Sequence, residues 1–582
     1  MEGRFRTVWV VGLGAVGAAT AVLLATSGRR VVGVVPDAAT LTETGERLER
    51  LVRAARPNDA EEVLARLELT TRMDTAAPAD LVVEAVPERL DTKTNVLARA
   101  HALCPPGAVF VTTAMTLSVT EIAARSGRMS RTVGLTLCEP GRPDASVVEL
   151  AGTPVTDADV LADVRALAGE LGRTPVDVHD RPGLIGHGLR LGYLNAAARM
   201  YGEGYASRDD IDTAMTLGCG LPVGPLAQLD RMGVDVALDA LTALHERTGE
   251  PQHRPAPLLT AMASAGLLGV KTGRGFHDYR TSPDSTTAPV AAPSARLPER
   301  IGIIGSGTMA RGIAEVLTTS GFATTLVART ELRTKEAGAA VERSLDRRVR
   351  RGRITPDALA AAIDLLTCET ELGAIAGCDV VIEAVAEDLG VKRRVFGELD
   401  AIARPGAVLA TTTSSLSVLD CATATGRPQD VVGLHFFNPP PAMRLVEVVR
   451  TLFTAPEVVA GALALTRALG KTPVACADRT GFIVNALLFP YLNNAVAAVE
   501  RHHVAVADVD RVITGAHGHP MGPFRLLDTI GLDVALAIQE SLHAAFAPVV
   551  PAPARHLTDL VAAGVLGRKS GRGFLGHDGG AV

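Results

Sequence analysis

From its first residues the chain alternates short runs of Val, Ile and Leu with stretches in which apolar residues recur every three or four positions. Runs such as WVV from Trp9, LVVEAV from Leu81 and IGII from Ile301 have the length of strands. Their near-continuous apolar character predicts burial on both faces, as in a parallel sheet covered by right-handed crossover helices. After about 180 residues the pattern changes to a purely helical period that holds for about 100 more. GFIVNALLFPYLNNAVAAVE from Gly481 shows it best: its apolar positions are those of a well-buried helix.

The whole pattern then occurs twice. GLGAVG at Gly12 pairs with GSGTMA at Gly305, an offset of 293, and DLVVEAVPE from Asp80 pairs with DVVIEAVAE from Asp379, an offset of 299. DRPGLIGH from Asp180 pairs with DRTGFIVN from Asp478, and from there the offset of 298 persists through VGPLAQLDRMGVDVAL and MGPFRLLDTIGLDVAL to the two GRGF segments. Residues 281–298, rich in Ser, Thr, Ala and Pro, have no apolar face to bury and read as a linker. The expected organisation is α/β plus all-α in tandem. A first dinucleotide-binding domain spans 1–180 and a first helical domain 181–280; after the linker come a second dinucleotide-binding domain at 299–478 and a second helical domain at 479–582.

Composition narrows the possibilities without choosing among them. A formal net charge of -6 with 21% charged residues gives no reason to expect nucleic acid. Seven scattered cysteines, none two residues apart, predict reduced thiols and no metal knuckle. The apolar stretch Val8 to Ala25, after Arg4 and Arg6, imitates a signal peptide or a membrane span. Its near-copy at 301–318 lies deep inside the chain, so a strand, glycine turn and helix account for both, and a cytoplasmic protein without a membrane segment is expected.

The glycine turns carry the first chemistry. A turn between strand and helix lets backbone approach a pyrophosphate and points the helix N-terminus at it, which nominates Gly305, Gly307, Thr308, Met309 and Ala310 as cofactor residues. The segment GLHFFNPPPAMRLVEVV from Gly433 is more specific. With TTSSLSV from Thr412, DRTGFIVN, MGPFRLLDTIGLD and GRKSGRGF from Gly567, residues 300–576 resemble the L-3-hydroxyacyl-CoA dehydrogenase family, which includes 3-hydroxybutyryl-CoA dehydrogenases. Residues 7–279 share the outline with weaker motifs.

Oxidising a 3-hydroxy group needs a base for the hydroxyl proton while hydride leaves the carbon, and imidazole suits that work near neutrality. His435 ends an apolar run, and Glu447, twelve residues on, is placed to orient the ring and stabilise its cationic form. The resemblance further implies that Ser414 bonds the substrate oxygen and that Asn485 and Asn438 belong to the substrate network. It also implies that Glu387 and Lys392 stand near the nicotinamide end of the cofactor. In the first copy His435 aligns with Thr136, Ser414 with Met115, Asn438 with Glu139 and Asn485 with His187. Only the carboxylate persists, as Glu149, with one extra residue in the preceding loop expected to shift its register. That copy keeps Gly12, Gly14, Gly17, Glu88 and Lys93 but should not run the reaction.

Where NAD-specific sites carry an acid at the end of the second strand, the second copy has Ala328 followed by Arg329. Losing the acid and gaining a guanidinium leans toward NADP(H) over NAD, although an Arg turned to solvent would carry no preference. The extra basic segment from Glu342 to Arg353, with Arg347 and Arg350, suits the phosphates of coenzyme A or forms a solvated helix face. The expected activity is interconversion of 3-hydroxyacyl-CoA and 3-oxoacyl-CoA, short-chain as for 3-hydroxybutyryl-CoA and acetoacetyl-CoA. The alternatives are the same chemistry on an acyl-carrier-protein thioester or a free hydroxy acid, and a non-catalytic nucleotide-binding scaffold. Because the family pairs its subunits through the helical domains, an internal pseudo-dimer of the two copies is expected, with further oligomerisation open.

Overall fold

In a computed structural model of the protein, residues 4–75, 78–137, 145–280 and 296–576 are described. Two eight-stranded sheets are built in the same way. The first contains β1 (Thr7–Val11), β2 (Arg30–Val34), β3 (Leu67–Thr70), β4 (Leu81–Glu84), β5 (Val109–Thr112), β6 (Thr132–Leu135), β7 (Val147–Gly152) and β8 (Thr174–His179) in the order β3-β2-β1-β4-β5-β6-β7-β8. The second contains β9 (Arg300–Ile304), β10 (Ala323–Val327), β11 (Leu366–Glu369), β12 (Val380–Glu383), β13 (Val408–Thr411), β14 (Val431–Phe436), β15 (Leu445–Arg450) and β16 (Thr472–Ala477), in the order β11-β10-β9-β12-β13-β14-β15-β16.

The central strands β4 and β12 are buried along their whole length, as their continuous apolar runs require when helices cover both faces. One junction in each sheet departs from the parallel pattern: β6 and β7 are antiparallel, as are β14 and β15, while β15 and β16 are again parallel. This reversal sets His435 directly opposite Glu447. In the first copy Gly134 faces Ala151 and Leu135 faces Leu150, so continuing the pairing by one residue sets Thr136 opposite Glu149. The expected shift of register does not occur there: the pairing of Gly134 and Leu135 matches that of Gly433 and Leu434. Glu139 and residues 281–295 of the linker lie outside the described residues.

Each sheet is followed by a helical region. Asn195 in the helix Gly186–Gly202 donates to the carbonyls of Gln252 and Arg254 and accepts from Ala256 N; Asn493 in the helix Val484–His502 does the same with Ala552 and Ala554. Asp230 and Asp528 tie down the GRGF segments, Asp528 accepting from Phe574 N and Leu575 N at 2.9 Å each. These bonds explain why the LD and GRGF residues recur in both copies.

The two helical regions meet along the helices Gly186–Gly202 and Val484–His502, where Tyr193 and Tyr491 pack edge to face with centroids 5.9 Å apart. Each also lies against the other copy's sheet. The helix Arg208–Cys219 contacts β15 and β16, Tyr205 Oη donates to Ala477 O at 2.8 Å, and Ala206 forms an antiparallel bridge with Cys476. Reciprocally, the helix Val506–Gly515 lies on β7, with Ser146 N donating to Gly515 O at 3.2 Å. No helix among the described residues is long and apolar enough to cross a membrane.

Candidate active site

The antiparallel step between β14 and β15 explains how residues twelve apart become partners, since opposed residues in such a pair have side chains on the same face. His435 Nδ1 lies 2.5 Å from Glu447 Oε2, and both side chains are buried. The other oxygen, Oε1, accepts from Ile483 N at 2.9 Å and Val484 N at 3.0 Å. A carboxylate offers only lone pairs, so the proton of the pair belongs to Nδ1 and Nε2 is left as an acceptor. Nε2 faces Ser414 Oγ at 3.2 Å. Phe437 and Phe482 flank the imidazole with centroids 4.6 and 5.4 Å away, so the ring has little freedom and its carboxylate partner is sealed from water.

The amides that hold Glu447 owe their direction to a tight turn before the helix Val484–His502. Phe482 occupies left-handed backbone with φ 48°, following Gly481 at φ 77°. A left-handed phenylalanine is uncommon and is kept only where its surroundings dictate it. The preceding Asp478 fixes the turn to the serine loop by accepting from Ser417 Oγ, Val418 N and Leu419 N. Asn485, one residue into the helix, donates through Nδ2 to Ser414 O at 3.1 Å. Four of the expected residues, His435, Glu447, Ser414 and Asn485, are therefore linked by hydrogen bonds.

Glu387 joins them from the cofactor side. Its Oε1 accepts from Thr413 Oγ1 at 2.6 Å and Ser414 N at 2.8 Å, and its Oε2 lies 3.4 Å from Lys392 Nζ. Burial pushes this carboxyl up, but Lys392 and the donors of Thr413, Ser414 and Ser415 outweigh it and hold it below the usual carboxylate range. Lys392 is itself fully buried, with both oxygens of Glu383 at 2.9 Å, so its ammonium is held between Glu383 and Glu387. The first copy preserves this arrangement: Lys93 lies 2.9 Å from Glu84 and 3.3 Å from Glu88, and Glu88 accepts from Met115 N and Thr116 N at 2.7 Å each.

The glycine turn fits a dinucleotide. Gly305 has φ 133°, and a Cβ there would come within 2.4 Å of Ala384 O, so the turn closes against β12 only with glycine. A Cβ on Gly307 would meet nothing within 4 Å. The helix Thr308–Thr319 begins at Gly307 without a side-chain cap, leaving its first amides free for an anion. Thr308 is exposed, Met309 half-buried and Ala310 buried. At the end of β10, Ala328 is buried and Arg329 is exposed.

Some expected residues are not joined to this network. Asn438 is exposed on the loop after β14. Arg347 and Arg350 are exposed on the helix Glu331–Arg350, where Arg350 pairs with Asp346 at 2.6 Å. Arg348 turns inward to Glu315 at 3.1 Å. Sequence reasoning passed over Phe482, Thr413 and Glu383, although VVIEAVAE with a lysine nine residues beyond Glu383 appears in both copies and signals a repeated buried ion pair.

In the first copy Glu149 accepts from Ile185 N at 2.8 Å, as its counterpart does. The position opposite is the buried Thr136, whose hydroxyl has no hydrogen-bond partner among the described residues. Met115 replaces the serine, and His187 packs on His517 of the second copy with centroids 5.7 Å apart.

A dinucleotide-type sheet whose last strands carry a His–Glu pair beside a serine, closed by a helical domain, defines a two-domain dehydrogenase architecture. The model of the 3-hydroxyacyl-CoA dehydrogenase NAD binding domain matches residues 7–181 and 300–479, and that of the 3-hydroxyacyl-CoA dehydrogenase C-terminal domain matches 183–279 and 481–577. The chain belongs to the 3-hydroxyacyl-CoA dehydrogenase family, with both domains present twice. It is 43% identical over 278 residues to a 3-hydroxybutyryl-CoA dehydrogenase of Mycobacterium tuberculosis, covering 47% of this chain and 97% of that protein. It is 36% identical over 303 residues to the human mitochondrial hydroxyacyl-coenzyme A dehydrogenase, covering 51% of this chain and 96% of that one. A crystal structure of 3-hydroxybutyryl-CoA dehydrogenase from Escherichia coli K12 superposes on 96% of this chain and 99% of its own, with a TM-score of 0.65 and 22% identity. That likeness shows that the tandem fold has a solved counterpart.

Proposed function

We propose that the second copy interconverts 3-hydroxyacyl-CoA and 3-oxoacyl-CoA, with 3-hydroxybutyryl-CoA and acetoacetyl-CoA as the smallest substrate pair, and that the first copy performs no chemistry. The observation that carries this reading is the His435 ring, held through Nδ1 by a buried carboxylate while Nε2 opens toward Ser414 Oγ at 3.2 Å. In the oxidative direction Nε2 takes the 3-hydroxyl proton, and Glu447 stabilises the imidazolium that results. Ser414 holds the reacting oxygen, and Asn485, with Asn438 at the loop, orients the thioester side of the substrate. A nicotinamide cofactor, held through its pyrophosphate on the glycine turn from Gly305, would supply the hydride chemistry at C3 when bound. Glu387, kept ionised by Lys392, holds the loop from Thr413 to Ser415 in place. Nothing at Thr136 can accept a proton near neutral pH, so the first copy lacks the base.

Gly305, Gly307, Thr308, Met309 and Ala310 are assigned to the pyrophosphate turn, and Ala328 and Arg329 to the adenosine ribose. The missing acid and the exposed guanidinium favour NADP(H). Arg347 and Arg350, three residues apart on one helix face, are assigned to the phosphates of coenzyme A. The copies form an internal pseudo-dimer, a reading supported by the reciprocal packing of each helical region on the other copy's sheet, and the protein is cytoplasmic. The test is cofactor oxidation followed at 340 nm with acetoacetyl-CoA and each reduced nicotinamide. Turnover with either supports the reading, whereas no turnover by folded protein with both overturns it.

A further inference from the structure

A cavity of about 200 Å³ opens where the end of the helix Val484–His502 meets the helical region of the first copy. Arg501 and His502 line it from the second copy. The first copy contributes Arg181, ahead of the helix Gly186–Gly202, and Arg247 and Glu250, around the end of the helix Val234–Thr248. Three arginines therefore share the cavity with one carboxylate, and that carboxylate is occupied. Glu250 Oε1 accepts from Arg501, and its Oε2 accepts from Gln252 Nε2 at 2.6 Å. Arg247 reaches Glu121 at 3.3 Å in a partly solvated pair, which neutralises it weakly. Arg181 is exposed and has no ion pair among the described residues. Its neighbour Asp180 is already engaged, accepting from Ser118 Oγ, Val119 N and Thr120 N. His502 has a buried Nδ1 without a hydrogen-bond partner among the described residues. Burial, with Arg181 and Arg501 next, pushes its imidazole down to about 4.

The pseudo-symmetry supplies a control within the molecule. At the constant offset of 298, Arg181 corresponds to Arg479, Arg501 to Glu203, Thr248 to Phe546 and His503 to Tyr205. At that other junction Arg479 pairs with Glu203 at 2.9 Å. Its guanidinium also lies over the rings of Phe546 and Tyr205, 4.3 and 5.1 Å from their centroids. There the chain supplies both the carboxylate and the aromatic filling. Here an arginine stands in place of the carboxylate and a threonine in place of the phenylalanine, which leaves a positive cluster around open space.

We infer that this cavity is a binding site for a small dianion carrying carboxylate or phosphate groups, which bridges the two copies by taking the place that Glu203 fills at the other junction. Guanidinium forks match the oxygens of either group. Three arginines against one carboxylate call for about two negative charges on the ligand. The volume exceeds that of engineered cavities of about 150 Å³ that take up benzene, so the ligand has room for more than an inorganic ion. None of the lining residues belongs to the His435 network, so the site is separate from the proposed activity.

The test is calorimetric titration of the full chain with succinate and with inorganic phosphate at constant ionic strength, and with choline as a cationic control. At least one of the two anions should bind with a Kd of about 1 mM or tighter and raise Tm, as a ligand of the folded state must. Choline should do neither. Arg181→Ala should weaken binding about tenfold or more, the worth of one charge-assisted hydrogen bond. Arg181→Glu provides from the chain the carboxylate that the ligand brings, so it should abolish binding and raise Tm in the absence of any anion. The alanine variant, which removes only an exposed side chain, keeps the inference testable if the glutamate variant misfolds. A preference for succinate or for phosphate identifies the ligand group. Failure of both anions to bind the wild-type chain overturns the inference. So does binding that both variants keep undiminished, because it then belongs to the glycine turns or to other surface arginines.

Discussion

Replacing Glu447 by Gln changes one atom and tests whether the carboxylate sets the protonation of His435. The amides of Ile483 and Val484 both donate to Oε1, so the glutamine must turn its oxygen toward them or lose two bonds. Its NH₂ group then faces His435 Nδ1 across the 2.5 Å contact that Glu447 Oε2 makes. Two donors cannot share that contact. Nδ1 becomes the acceptor and the ring proton moves to Nε2, where it blocks uptake of the substrate proton. Loss of the ion pair adds to this, at about 4 kcal/mol for charges about 4 Å apart at an effective dielectric constant of about 20. That corresponds to about three decades in rate. In serine hydrolases the equivalent acid-to-amide change lowers kcat by about 10⁴. We therefore expect Glu447→Gln to lower single-turnover reduction of acetoacetyl-CoA by about 10³ to 10⁴. Its near-UV circular dichroism should stay that of the wild type. A folded variant that keeps more than a tenth of the wild-type rate would refute the reasoning.

Three other substitutions probe the surrounding claims. Thr136→Val removes a buried hydroxyl without a partner, so unfolding free energy should stay level or rise by up to about 1 kcal/mol and turnover should not change; a large loss of the chemical step would mean that the first copy takes part in it. Ala328→Asp with Arg329→Gln should move preference toward NAD(H), measured as the ratio of kcat/KM for the two cofactors; wild-type protein that already prefers NADH tenfold contradicts the NADP(H) reading. His519 sits at the junction of the copies, and burial, with Arg190 second, pushes its imidazole down to about 4. The unfolded chain, with its histidine near 6.5, binds more protons between these values, so this contribution is present above pH 6.5 and is lost as pH falls toward 4. Urea titrations across that window should show a shallower decline for His519→Gln than for wild type, and equal slopes would sink the assignment.

The duplication and the strand-helix alternation were legible because they depend on burial, which continuous apolar runs record directly. The glycine turn was legible for a similar reason: at Gly305 a side chain would meet backbone, so the constraint falls on residue type. The antiparallel step between β14 and β15 was not legible. Short apolar runs have the same pattern in either direction, and the loop from Phe437 to Arg444 gives no turn signature that fixes the return. Glu149 misled for the related reason that the sequence does not show where a hairpin places an extra residue. Lys392 was placed near the nicotinamide end by the family resemblance alone, and the sequence did not show its buried carboxylate partner. In the fold, Glu383 lies close enough to bury its ammonium completely. The contribution of Tyr193, Met215 and Cys219 to a cavity shared with the other copy was invisible, since these residues are far in sequence from its second-copy lining, Leu488 and Leu526, and have ordinary core spacing.

The central claim is that one copy carries all the chemistry and that His435 is its base. The most direct measurement is turnover of acetoacetyl-CoA at 340 nm by His435→Ala, alongside the affinity of the variant for reduced cofactor. The account predicts a fall of about two to four decades in kcat, with cofactor affinity within about twofold of wild type. If the folded variant keeps more than a tenth of wild-type turnover with chemistry rate-limiting, either another group is the base or the first copy holds a working site.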